Sequence, residues 1–206
     1  MARAFTEEDR ALAMQALLAE GRRLFVEGGL KAVSLSSLTH AAGIAKTSFY
    51  AFFESKEALI LDLLAAEAPG VSDRVMAPLV DPALPARQAL SGFLRALLAE
   101  YETNTFLARL VSEPQTLAAM AQRVRPEDLE LKAAWLERPL ATFLKARIDT
   151  GEIVPQPVAT LIDVVRSVSL LSLHRDRFGS EQQFNAAAET LIDLVSEGLT
   201  RWETHS

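Results

Sequence analysis

Apolar residues recur every three or four positions along nearly the whole chain and never fall into strand-like alternation, the period of amphipathic helices. Leu17, Leu18, Gly21, Leu24 and Phe25 keep this rhythm until Gly28 and Gly29 stop it. Leu90, Phe93, Leu94, Leu97, Leu98 and Tyr101 sustain it for about five turns. Leu129, Ala133, Leu136, Leu140, Phe143 and Leu144 carry it to Gly151, where a left-handed residue would end a helix. Val158, Leu161, Ile162, Val165, Val168 and Leu171 follow Pro155 and Pro157 and close at Gly179. Phe184, Ala187, Ala188, Leu191, Ile192, Val195, Leu199 and Trp202 complete the pattern after a capped start at Ser180. The expected fold is all-α with about nine helices.

Helix boundaries divide this series into two expected parts. Thr6 followed by Glu7, Glu8 and Asp9 is an N-cap with carboxylates in the positive first turn. Two short helical stretches, 35–42 and 46–53, flank Gly43, and a further helix starts at Ser55. Ala68, Pro69 and Gly70, with Pro78, Pro82 and Pro85 beyond, are expected to break the chain. The reading is therefore a three-helix head with its connecting helix over 1–69 and a larger helical domain over 70–206 for ligand binding and dimerisation.

The net charge of −6 argues against a nucleic-acid partner only if it is spread evenly. Residues 1–56 hold seven Lys/Arg against six Asp/Glu, net +1, whereas the remaining 150 hold 14 against 21, net −7. An acidic body thus leaves a near-neutral head open to DNA. The absence of cysteine excludes disulfides and thiol chemistry, and no apolar run reaches the ~18 to 20 residues of a bilayer span. A cytoplasmic protein without a membrane partner is expected.

The segment around Gly43 carries the chemistry. Ser34 can cap a short helix whose Leu35, Leu38 and Ala42 face inward, Gly43 permits the positive φ of a sharp corner, and Ile44 plugs it. The next stretch places Lys46, Thr47, Ser48 and Tyr50 near its start and Phe49, Phe52 and Phe53 as anchoring bulk. A recognition helix needs this division between small polar or basic groups for base edges and phosphates and apolar groups that fix its angle. Lys56 is a cation in a helix's first turn, where it opposes the macrodipole unless an anion such as a phosphate docks.

Ala42-Gly43-Ile44, Lys46-Thr47-Ser48-Phe49-Tyr50 and Phe53-Glu54-Ser55-Lys56-Glu57 resemble, in order and spacing, the head of TetR-type transcriptional repressors. The resemblance implies base-facing positions at Lys46, Thr47 and Ser48, phosphate contacts at Tyr50 and Lys56, and contacts to the backbone or groove edge at Ser34 and Ser36. Ala45 departs from the family's usual capping residue, and Ala51 and Phe52 stand where an aromatic or histidine often reaches the DNA backbone. Modest affinity per head, and so reliance on two heads, is expected.

Partners and mechanism follow as expectations. The last two long helices carry more apolar surface than one core stripe needs, which points to a homodimer interface through Leu161, Val165, Val168, Ala187, Leu191 and Val195. Double-stranded operator DNA would then be read as a pseudo-palindrome. A small, mainly apolar effector would lie among Phe93, Leu97, Tyr101, Phe106, Met120 and Trp135, with Arg109 or Arg166 as polar anchor, and would release the repressor by favouring the state with splayed heads. Two alternatives stay open: an architectural DNA binder without an effector, and a helical ligand- or lipid-carrying protein. No cofactor is expected. His40, His174 and His205 lack metal-ligand spacing, and the acidic residues Glu100, Glu102, Glu127, Asp128 and Glu130 are expected on solvated faces, so no metal site and no enzyme are expected.

Overall fold

A computed structural model describes residues 6–128 and 137–200. Among them are nine α-helices: α1 (Glu7–Ala32), α2 (Leu35–Ala41), α3 (Lys56–Val80), α4 (Ala86–Thr103), α5 (Thr105–Ser112), α6 (Pro114–Arg123), α7 (Glu137–Asp149), α8 (Val158–Ser169) and α9 (Glu181–Thr200). Two 3-10 segments, Lys46–Ala51 and Leu170–Arg177, complete the series, and the fold is all-α. Leu129, Ala133, Trp135, Leu136, Trp202 and His205 lie outside the described residues.

The described residues form two compact units, one within Met1–Glu67 and Thr105–Ala133, the other within Ala68–Asn104 and Ala134–Ser206. In the first, the expected cap starts α1: the Asp9 amide donates to Thr6 Oγ1 and the Thr6 amide donates to Asp9 Oδ2, each at 3.0 Å. Those bonds hold the Asp9 carboxyl below its usual range. Leu17 and Phe25 are fully buried along α1, and Phe25 meets Phe106 of α5 with ring centroids 5.0 Å apart. At Gly21 the helix passes so close to α3 that a Cβ would overlap the Leu59 side chain.

The glycine pair does not end α1 as expected: Gly28 and Gly29 have non-helical dihedrals, after which a last turn resumes through Ala32. Gly29 has φ +68°, and a Cβ there would collide with the Glu113 carboxylate. Carbonyls before such an interruption lose the amides four residues on. Arg109 replaces them, its Nε and Nη2 donating to Val26 O at 3.1 and 3.0 Å and Nη2 also to Glu27 O at 3.4 Å.

In the second unit α4 packs against α8 and α9, and α7 against α8. Phe93, Leu94, Leu97, Leu144, Leu161, Val165, Val168, Phe184 and Ile192 are buried. Arg95 joins α4 to Glu189 and Asp193 of α9 at 2.8 and 3.0 Å. These pairs are exposed and contribute little individually; the apolar stripe supplies the cohesion.

Two further expectations are corrected. Ala68, Pro69 and Gly70 do not break the chain: α3 runs through them to Val80 with Pro69 and Pro78 inside it. An interior proline costs roughly 3 kcal/mol. Here the buried stripe Leu61, Leu64, Ala68, Val71, Val75 and Leu79 continues at helical spacing across it, while Pro69 and Gly70 face solvent. Glu100 is not on a solvated face. It is 5% exposed, accepts from Arg74 Nε and Nη2 at 2.9 and 2.7 Å and from Asn104 Nδ2 at 3.2 Å, and its carboxyl is held below the ordinary range chiefly by Arg74.

Because Glu100 titrates lower when folded, the pair's contribution is complete above the ordinary carboxyl value of 4.5 and is lost as pH falls through the depressed folded value. Arg74→Met is expected to cost about 1–2 kcal/mol at pH 7, a figure reduced because the Arg74 side chain is 61% exposed. Thermal denaturation of both proteins from pH 7 to 3 checks this: the gap closes in acid, where Glu100 becomes neutral and no longer needs its partner.

Candidate nucleic-acid interface

The corner before the recognition segment is built by backbone geometry. Ser34 Oγ accepts from the Ser37 amide at 3.1 Å and caps α2. At the other end the Ile44 amide reaches Thr39 O at 3.0 Å and the Gly43 amide reaches His40 O at 3.2 Å. This double bond pattern requires a left-handed residue at Gly43, whose φ is +64°. Nothing would meet a Cβ there, so the dihedral alone selects glycine.

Beyond the corner, Lys46–Ala51 forms a 3-10 helix whose N-cap, Ala45, makes no side-chain bond. The missing cap expected at Ala45 is thus reflected in a tighter, shorter helix than the α-helical stretch anticipated. Its two flanks differ sharply. Phe49 is fully buried and Phe53 nearly so, their rings 5.8 Å apart, and Phe49 meets Tyr50 edge-on at 5.6 Å. Lys46 and Thr47 are exposed, Ser48 is half-buried, and Tyr50 is 61% exposed. Ser34, Ser36 and His40 are exposed on α2.

Lys56 has partners that sequence could not reveal. Its Nζ donates to Leu30 O at 2.7 Å and Val33 O at 3.1 Å, closing the last turn of α1 after the glycine interruption. The ammonium thereby sits at the negative end of one helix although it starts another. Arg10 was also missed: its Nη2 donates to Ala51 O at 3.1 Å and its guanidinium lies 5.1 Å from the Phe52 ring centroid.

The residues read as an effector site fall in both units. Phe93 and Leu97 are buried in the second, where Tyr101 is half-buried and has its hydroxyl pKa raised by burial. Arg166 is exposed there and pairs with Asp163 at 2.9 Å and with Glu137. Phe106, Arg109 and Met120 belong to the first unit, Arg109 on the α1 carbonyls and Met120 fully buried. Of the residues read as a dimer interface, Leu161, Val165 and Val168 lie in the core of the second unit, whereas Ala187, Leu191 and Val195 are half-buried. Among the described residues no cluster of three or more His, Cys, Asp or Glu could hold a metal ion, and no helix is long and apolar enough to cross a membrane.

A capped helix, a glycine corner and a short helix with a polar flank over an aromatic base form a helix-turn-helix. The family described as bacterial regulatory proteins, tetR family, matches residues 17–63. The helix-turn-helix transcriptional repressor DhaR of Mycobacterium sp. (strain GP1) is 27% identical over 139 residues, 68% of this chain and 69% of that protein. A TetR family regulator from Marinobacter aquaeolei VT8 shares the fold at TM-score 0.66 and 18% identity, covering 96% of this chain and all of that one. FadR from Bacillus subtilis, solved in complex with stearoyl-CoA, shares it at TM-score 0.60 and 15% identity, covering 90% and 98%. The amino-terminal region is thus similar to the tetR family of bacterial regulatory proteins, and the chain shares the all-α fold of solved TetR family regulators.

Lys56→Met is expected to destabilise the protein by about 2 kcal/mol, because two carbonyls lose a charged donor, with a fall in Tm of roughly 4–8 °C. Calorimetry checks it; an unchanged Tm would mean that the two carbonyl bonds contribute nothing.

Proposed function

We propose that this DNA-binding regulator is a ligand-responsive repressor that binds pseudo-palindromic operator DNA as a dimer and is released by a small, mainly apolar effector. The observation that carries the DNA reading is the open flank of the 3-10 helix: Lys46 and Thr47 are exposed and Ser48 is half-buried, while Phe49 and Phe53 are sealed beneath them. Ammonium and hydroxyl groups at the start of a recognition helix suit base edges and phosphates. Tyr50, Ser34 and Ser36 are placed for flanking backbone contacts, and Lys56 keeps one N–H beyond the two given to carbonyls. The similarity to the repressor DhaR supports the direction of control.

The dimer is proposed to form through α9. Leu161, Val165 and Val168 are occupied in the unit's own core, so the interface shifts to the outer stripe of Ala187, Leu191 and Val195, with Leu194, which is 63% exposed. Two such subunits would set recognition helices about 34 Å apart, on successive major grooves. For the effector, the apolar interior around Phe93 and Leu97, with the half-buried Tyr101 hydroxyl as its polar feature, supports a largely apolar molecule. FadR's complex with stearoyl-CoA gives acyl compounds first place among candidates.

Footprinting on the DNA adjoining the coding region tests the reading. Wild type should protect a two-fold symmetric site, and Lys46→Ala should reduce discrimination between that site and base-substituted versions by roughly 5- to 150-fold, equivalent to 1–3 kcal/mol. Binding that is insensitive to salt and sequence would refute the regulator reading and favour a carrier protein. Leu191→Glu combined with Leu194→Glu should convert a dimer into a monomer by sedimentation, with the operator affinity falling accordingly.

A further inference from the structure

We infer that Arg10, on the first helix, is a phosphate-binding residue of the DNA interface, held against the carboxy-terminal end of the recognition segment by Ala51 O and the Phe52 ring. The inference rests on the reading of the head as a duplex-DNA binder and adds a contact outside the helix-turn-helix itself.

Three observations carry it. The guanidinium is fixed in place: Nη2 donates to Ala51 O at 3.1 Å, and the group lies 5.1 Å from the Phe52 ring centroid. A planar cation pinned at two points loses less freedom on taking a third partner than a free side chain does. Its charge is also uncommitted. In the same unit Arg22 pairs with Glu67, Arg23 with Glu20 and Glu27, Arg109 with Glu113 and Arg125 with Asp128. Arg10 meets a neutral carbonyl and a ring, and among the described residues no carboxylate lies within ion-pair distance, not even Glu7 one turn earlier. It is exposed, and a guanidinium has five N–H donors in a fork that matches phosphate geometry.

Position supplies the third argument. A recognition helix presents its amino-terminal residues to base edges, while the helix before it in the motif crosses the backbone. Lys46 stands at the amino-terminal end of the 3-10 segment and Ala51 at its other end, roughly 10 Å away at about 2 Å per residue. That is close to the ~12 Å width of the major groove. With Lys46 at the groove floor, Arg10 is set back toward the groove wall, where phosphates are. Ala51 and Phe52 themselves have no group that could bind phosphate; Phe52 instead carries the cation that does.

Binding of wild type, Arg10→Gln and Arg10→Lys to the footprinted duplex and to an unrelated duplex, across a range of KCl concentrations, tests this, with thermal melting of each protein alongside. Arg10→Gln should weaken both duplexes by the same factor and reduce the log–log salt slope by about 0.9 for each head engaged. Arg10→Lys, which keeps the charge, should retain most of the slope. Loss of affinity at an unchanged slope, or a change in base preference, would make Arg10 only a brace for the recognition segment and overturn the inference; so would unaltered binding. If wild type itself shows no salt-dependent binding to either duplex, the DNA reading fails first and the inference falls with it.

Discussion

The head of this protein depends on how the interruption of α1 is satisfied. Gly28 and Gly29 leave the helical path between two stretches of α1, and backbone carbonyls on both sides need donors. Arg109 donates to Val26 O and Glu27 O before the break, and Lys56 to Leu30 O and Val33 O after it. Glu113 packs onto Gly29 where no side chain fits, and Thr116 Oγ1 holds that carboxylate at 3.2 Å. A buried or half-buried carbonyl without a donor costs about 1–3 kcal/mol, so these cations govern whether the last turn of α1 exists at all. That turn ends at Val33, itself buried and adjacent to the cap of α2.

The same interaction explains why α5 and α6 join the amino-terminal unit. Phe106 stacks on Phe25 beside Arg109, and Arg22 lies 5.8 Å from the Phe106 ring. A small three-helix head buries too little apolar surface to be robust alone. Helices from later in the sequence extend its core without covering Lys46 or Thr47, which remain open. Rigidity beneath and freedom above are what a groove-reading helix needs.

Local features were legible because neighbours in sequence decide them. The Thr6–Asp9 cap, the Gly43 corner and the buried Phe49 follow from residues within about five positions of one another. Each is fixed by dihedral preference or a short hydrogen-bonded loop. The proline at 69 misled for the same reason: locally it ends a helix, and only a stripe of buried residues on both sides outweighs that tendency.

What the sequence by itself determined is the all-α architecture, the helix-turn-helix and the chemistry of its exposed flank, since period, cap and corner are short-range properties. Tertiary structure alone decided which charges are spent and which stay available. Lys56, Arg109 and Glu100 find partners 23 to 83 residues away, and Arg10 is brought to Ala51 across 41 residues. A side chain's charge can be read from its name, but its electrostatic partner is set by the packing of helices distant in the chain, and no periodicity encodes that meeting.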